Sequence, residues 1–230
     1  MTQPALRGIS SMATRQVLAD LVAGFTQQSG TQVCIESVGG VDAAKRVAAG
    51  EAFDVVILAS DAIDKLMAGG HLVPHSKVDW VHSGVAVAVP AGASLPDLSS
   101  EDAVRAAVLA APSISLSTGP SGVAIAKLFE RWGIAEQIAP RMVQAPPGVP
   151  VGSLVAKGEV ALGFQQLSEL LHVPGIQIVG PLPPAIQITT TFSAGIGALS
   201  QQPEAARALL AYLASPAAAE AKQKQGMTPA

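Results

Sequence analysis

The sequence predicts an α/β protein of two lobes with a ligand cleft between them, and three observations carry that prediction. Short β-branched runs alternate with amphipathic helical patterns along most of the chain, the signature of helices layered on a largely parallel sheet. Twice, at 6–12 and at 115–123, an apolar run stops at a cluster of Ser and Gly and a helical pattern follows. Two strand-like segments, around His82 to Val85 and Thr189 to Ala194, sit where the chain would leave the first lobe and return to it, forming a hinge.

The elements follow in order. A strand is expected at 6–9 and a helix at 13–27, where apolar residues recur at helical spacing. A strand at 32–37, a helix at 42–49 and a strand at 53–58 complete a β-α-β-α-β series. The helix at 62–67 is closed by Gly69 and Gly70, which suit a left-handed C-cap. SGVAVAVP, 83–90, alternates as a strand should and opens a second series: helix 101–110, strand 114–117, helix 122–132. The stiff segment QAPPGVPVG, 144–152, leads to a short helix at 153–157 and the strand ALGF. PLPPAIQITTTFSAGIGALS, 181–200, reads as one β-rich passage, and helices at 203–214 and 216–224 end the chain. The expected division is 1–83 with 195–230 in one lobe and 84–194 in the other.

Composition excludes several function classes. In 230 residues, 49% of them apolar, there is material for real cores, while a net charge of -3 with 14 Lys plus Arg offers no basic surface for nucleic acid. No run of apolar residues is long enough to span a membrane, so no membrane insertion is expected. The N-terminus has no leader pattern, which places the chain as written in the cytoplasm, or in the periplasm if its natural start has been trimmed. The lone Cys34, in QVCIES, reads as a buried strand thiol. His71, His75, His82 and His172 are scattered without ligand spacing, so no metal is expected. Neither a Gly-x-Ser-x-Gly elbow nor a phosphate loop occurs, and no cofactor is expected.

The two Ser/Gly turns point to an anion. The first N–H groups of a helix lack internal partners and the helix dipole places positive charge there. Ser10 and Ser11 in the first turn, and Ser117, Thr118, Ser121 and Gly122 in the second, add small donors without bulk. Gly39 and Gly40 form the turn before the second helix, needed either for chain geometry only or for close backbone approach to the ligand. Gln165 and Gln166 enter a further helix, and one of them should face the ligand. Asp42 reads as a helix cap, Lys45 and Arg46 as a solvated helix face, and Phe129 and Trp132 as core. Ser10 and Ser11 could also be nothing more than N-caps.

Together these segments resemble the type II periplasmic binding fold, and in particular the molybdate-binding protein family of ABC importers. The carriers are GISSMATRQVLADLVAGF, VGGVDAAKRVAAGEAFDVVILAS, STGPSGVAIAKLFERWG, LVAKGEVALGFQQLSEL and YLASPAAAEAKQKQGMTPA. The resemblance implies an oxyanion held by neutral hydroxyl and backbone donors, Ser10 matching the binding serine of the first turn and Ser121 a position whose N–H reaches the ligand. It also implies a transporter permease as partner if the protein is exported. Two departures redirect the ligand. Gly39, Gly40 and Val41 stand where the family has a serine run, and Gln166 where it has a pocket tyrosine. A carboxamide offers a donor and an acceptor, which suits a small organic carboxylate better than a bare oxyanion.

The expected function is therefore binding of a small anionic solute, most plausibly a polycarboxylate. The alternatives are a molybdate or oxyanion transport protein, and a cytoplasmic isomerase on the same fold, as in periplasmic-fold isomerases such as aconitate isomerase. An isomerase needs a general base, for which Glu36, His82 and Glu169 are the candidates. A sensing module is a third reading, with no output segment in the chain to serve it.

Overall fold

Apolar alternation decides where each strand buries its two faces, and the fold is built outward from that. The computed structural model describes residues 4–146 and 148–230. The chain forms two units: the first runs to Ser83 and resumes over Thr191–Ala230, and the second is Gly84–Thr190.

In the first unit β1 (Leu6–Ser11) is followed by a 3-10 turn and α1 (Arg15–Ser29), then β2 (Val33–Val38), α2 (Gly40–Ala48), β3 (Val55–Ala59) and α3 (Ser60–Ala68). β1 lies parallel between β2 and β3. β3 shows why the sheet is covered on both sides. Val55, Ile57 and Ala59 join one core with Leu18, Leu21, Leu209 and Leu213, while Val56 and Leu58 join another with Ile9, Val47 and Ile63.

β4 (Val78–Pro90) carries the chain into the second unit. There follow α4 (Glu101–Ala110), β5 (Ile114–Leu116), α5 (Pro120–Arg131), α6 (Ala135–Ile138), α7 (Val151–Ala156), β6 (Leu162–Gln166), α8 (Leu167–Leu170) and β7 (Ile176–Pro181). The alternation of GVAVAV sorts the second half of β4. Val85, Val87 and Val89 pack with Val104, Val108, Ile125 and Phe129, whereas Ala86 and Ala88 face Leu170. β8 (Thr189–Ile196) returns the chain, and α9 (Pro203–Ala214), α10 (Ala219–Lys224) and β9 (Met227–Pro229) complete the first unit.

Several expectations are corrected. The sheets are mixed rather than largely parallel, because β8 runs antiparallel to β3 and β4 antiparallel to β6, β7 and β9. β4 begins at Val78, earlier than the alternation suggested, and β9 pairs with it at Val81–Ser83. β7, a strand beyond those expected from the alternation, pairs with β4. Residues 191–194 go with the first unit because Phe192 and Ala194 are part of its core. Gly70 takes the left-handed conformation with φ 76°, but Gly69 remains helical with φ -78°. Cys34 is exposed, since β2 is an edge strand that turns alternate residues to solvent.

Candidate functional site

Parallel pairing sets the first group of candidate residues. β1 and β2 share a register in which Ser10 faces Ser37, so both strands end at one edge of the sheet. The two hydroxyls share a hydrogen bond of 2.8 Å, and Ser10 is fully buried. Ser11 is buried as well, and its Oγ has no hydrogen-bond partner. An unmet buried hydroxyl costs about 1–3 kcal/mol. Ser11 precedes the 3-10 turn but makes no capping bond, so capping does not account for it.

Gly40 brings α2 against that serine: a Cβ on Gly40 would stand 3.5 Å from Cβ of Ser11. As the first residues of a nine-residue helix, Gly40 and its successors present N–H groups without intrahelical partners. Asp42 lies in the first turn and makes no capping bond; the N-cap is Gly39.

In the second unit β5 and β6 are parallel neighbours, with Leu116 opposite Phe164, and again both end at one edge. After β5, the Ser117 and Ser121 hydroxyls share a 3.0 Å hydrogen bond. Gly122 is obligatory here, because a Cβ at that position would lie 1.7 Å from the Ser117 carbonyl oxygen. Thr118 is exposed beside them.

After β6, the adjacent glutamines go separate ways. Gln166 is buried and its Nε2 donates to Thr190 Oγ1 at 2.8 Å. Gln165 is equally buried; its Oε1 accepts from the Gly152 N–H at 2.9 Å and its Nε2 donates to Glu169 Oε1 at 3.0 Å. Burial pushes the Glu169 carboxyl up to about 7, opposed only in part by the Gln165 hydrogen bond.

The other two candidate bases are otherwise engaged. Glu36 gives both carboxylate oxygens to Arg46, at 2.7 and 2.9 Å, and that guanidinium holds its carboxyl below the ordinary 4.5. Arg46 also grips Glu51 and lies over the Phe53 ring, so it is not a simple solvated cation. Glu36 is thereby a structural ion-pair partner, which corrects its candidacy as a base. His82 Nδ1 is hydrogen-bonded to Thr191 Oγ1 at 3.0 Å. Among the described residues no cluster of metal-ligating side chains occurs.

The structure brings Gly40 against Ser11 in the first unit and Ser117 against Ser121 and Gly122 in the second, while Ser10 pairs with Ser37 and Gln166 with Thr190. Reading the sequence missed Ser37 and Thr190, the hydroxyl partners of Ser10 and Gln166. Neither carries a local signal, since Ser37 is placed by its register with Ser10 and Thr190 by the Gln166 carboxamide. The hydrogen bonds among these residues run through hydroxyls and carboxamides, chemistry that receives an anion without a matched cation.

Comparison with known proteins fits these features. The family described as bacterial extracellular solute-binding protein matches residues 6–228. An aconitate isomerase of a Pseudomonas species is 44% identical over 185 residues, 80% of this chain and 70% of that protein. Among solved structures, the periplasmic molybdate-binding protein of Azotobacter vinelandii superposes with a TM-score of 0.80 at 22% identity, covering 97% of this chain and 98% of that one. The tungstate-binding protein of Desulfovibrio alaskensis G20 gives a TM-score of 0.71 at 17% identity over 99% of both chains. The fold is the type II periplasmic binding fold.

Proposed function

Because the chain belongs to the bacterial extracellular solute-binding protein family, we propose that it binds a small organic polycarboxylate through neutral hydroxyl, carboxamide and backbone N–H donors and interconverts isomers of an unsaturated one. The contact residues in this reading are Ser10, Ser11, Gly39, Gly40, Ser117, Thr118, Ser121, Gly122 and Gln166. The observation that carries it is a neutral, donor-rich residue set in a chain whose relative is an aconitate isomerase. Gly39, Gly40 and Gln166 support a carboxylate over a bare oxyanion, since they exchange hydroxyl donors for space and for mixed polarity. The half-buried, proton-binding Glu169 supports chemistry beyond binding.

The test has two parts. Thermal melts with cis-aconitate, trans-aconitate, citrate, molybdate and sulfate rank the ligands; the carboxylates should raise Tm most, and Ser10→Ala should reduce that rise. Proton NMR of the purified protein with cis-aconitate should then reveal trans-aconitate accumulating. A protein stabilised by molybdate or sulfate alone would sink the carboxylate reading. Stabilisation by aconitate without conversion favours a second reading drawn from the family, a solute receptor that hands its ligand to a transporter permease.

A further inference from the structure

We infer that Glu169 is the acid–base group that moves a proton along an unsaturated carboxylate bound by this protein, and that Gln165 is its positioning residue. The inference rests on the isomerase reading above and assigns the residues that perform it.

Placement comes first. β5 and β6 are parallel and adjacent, with Ser115 opposite Gly163 and Leu116 opposite Phe164. The turn carrying Ser117 and Ser121, which follows β5, and α8 with Glu169, which follows β6, therefore leave the same edge of the sheet. Open α/β sheets take their ligands at that edge. Glu169 thus lies beyond the carboxyl end of β6, the strand next to the one that leads to Ser117 and Ser121, and it takes a hydrogen bond from the Gln165 carboxamide.

Orientation comes second. Gln165 is buried, and its amide cannot rotate freely because Oε1 accepts from the Gly152 N–H. That fixes Nε2 toward Glu169 Oε1. The other oxygen, Oε2, makes no hydrogen bond among the described residues and is left to react. Glu36, by contrast, has both oxygens tied to Arg46.

The chemistry balances without a co-reactant. The Glu169 carboxylate takes a proton from a CH2 that is both next to a carboxylate and allylic to the double bond. The electron pair of that C–H bond delocalises through the allylic system into the substrate carboxylate. The protonated Glu169 then returns the proton to the far allylic carbon, and the double bond moves by one position. A group that both takes and gives needs both forms near neutral pH, and a carboxyl raised to about 7 by burial has them. Burial raises it and Gln165 lowers it, with no charged group contributing from α7, β6 or α8.

The experiment follows aconitate interconversion by proton NMR in deuterated buffer, with thermal melts on the same proteins. Glu169→Gln should lose about a hundredfold or more in kcat, with deuterium exchange lost in parallel and stabilisation by aconitate retained. Glu169→Asp should keep part of the activity. Gln165→Met removes the bond that lowers the carboxyl, so its kcat should fall and the pH midpoint of kcat should move upward, which a purely structural role would not produce. An active wild type with Glu169→Gln within about threefold of it overturns the assignment alone. A Glu169→Gln protein that loses both turnover and aconitate stabilisation assigns Glu169 to binding and also overturns it. A wild type that converts no aconitate removes the isomerase reading and this role with it.

Discussion

At the scale of single residues, buried hydroxyls and one glycine carry the candidate chemistry. Ser11 keeps a buried Oγ without a partner, so Ser11→Ala should leave the Tm of the unliganded protein unchanged or slightly higher. If that oxygen serves the anion, the variant should lose about tenfold or more in affinity, the value of a hydrogen bond to a charged group, measured by calorimetry. Gly122→Ala should cost about 1–3 kcal/mol in denaturant melts, because its Cβ would stand 1.7 Å from the Ser117 carbonyl oxygen. Ser10, Ser117 and Ser121 were legible because a Ser or Gly cluster after an apolar run marks a strand-to-helix turn. Ser37 and Thr190 were not, because what gives each its place is a partner from another strand, and register is not written in local sequence. Cys34 was misread for the same reason, since nothing in QVCIES says that the strand lies at an edge.

At the scale of elements, caps and periodicity were the most readable features. α4 occupies Glu101–Ala110, as expected, because Ser100 caps it through Ala103 N–H and the apolar face of Val104 and Val108 repeats at helical spacing. α9 starts at Pro203, where a proline costs the helix nothing. The first half of β4 was invisible because Asp79 and His82 interrupt its apolar pattern and β9, far along the chain, holds it. The edge strand β2 is tied to α2 and to Glu51 by Arg46, and this tie is pH-dependent. Arg46 lowers both Glu36 and Glu51, so their contribution to stability is present above the ordinary 4.5 and is lost as pH falls through the lowered values. Arg46→Met should therefore be less stable than wild type at neutral pH, with the gap narrowing as pH drops below 4.5, followed by urea melts across that range.

At the scale of the whole molecule, the α/β class and a chain that departs and returns were legible from the alternation of elements. Strand direction was not: both strands that pass between the units run antiparallel to partners, and sequence periodicity is identical for either direction. The return itself has a consequence for biosynthesis. The second unit is a single uninterrupted stretch, whereas the core of the first needs Leu209, Leu213, Ala218 and Met227 from the end of the chain. On the ribosome, Leu18, Leu21 and Ile57 emerge early and wait for those partners while the inserted unit is translated. The half that begins the polypeptide is thus the last to be completed, and its unsatisfied apolar faces are what a chaperone would meet on the nascent protein.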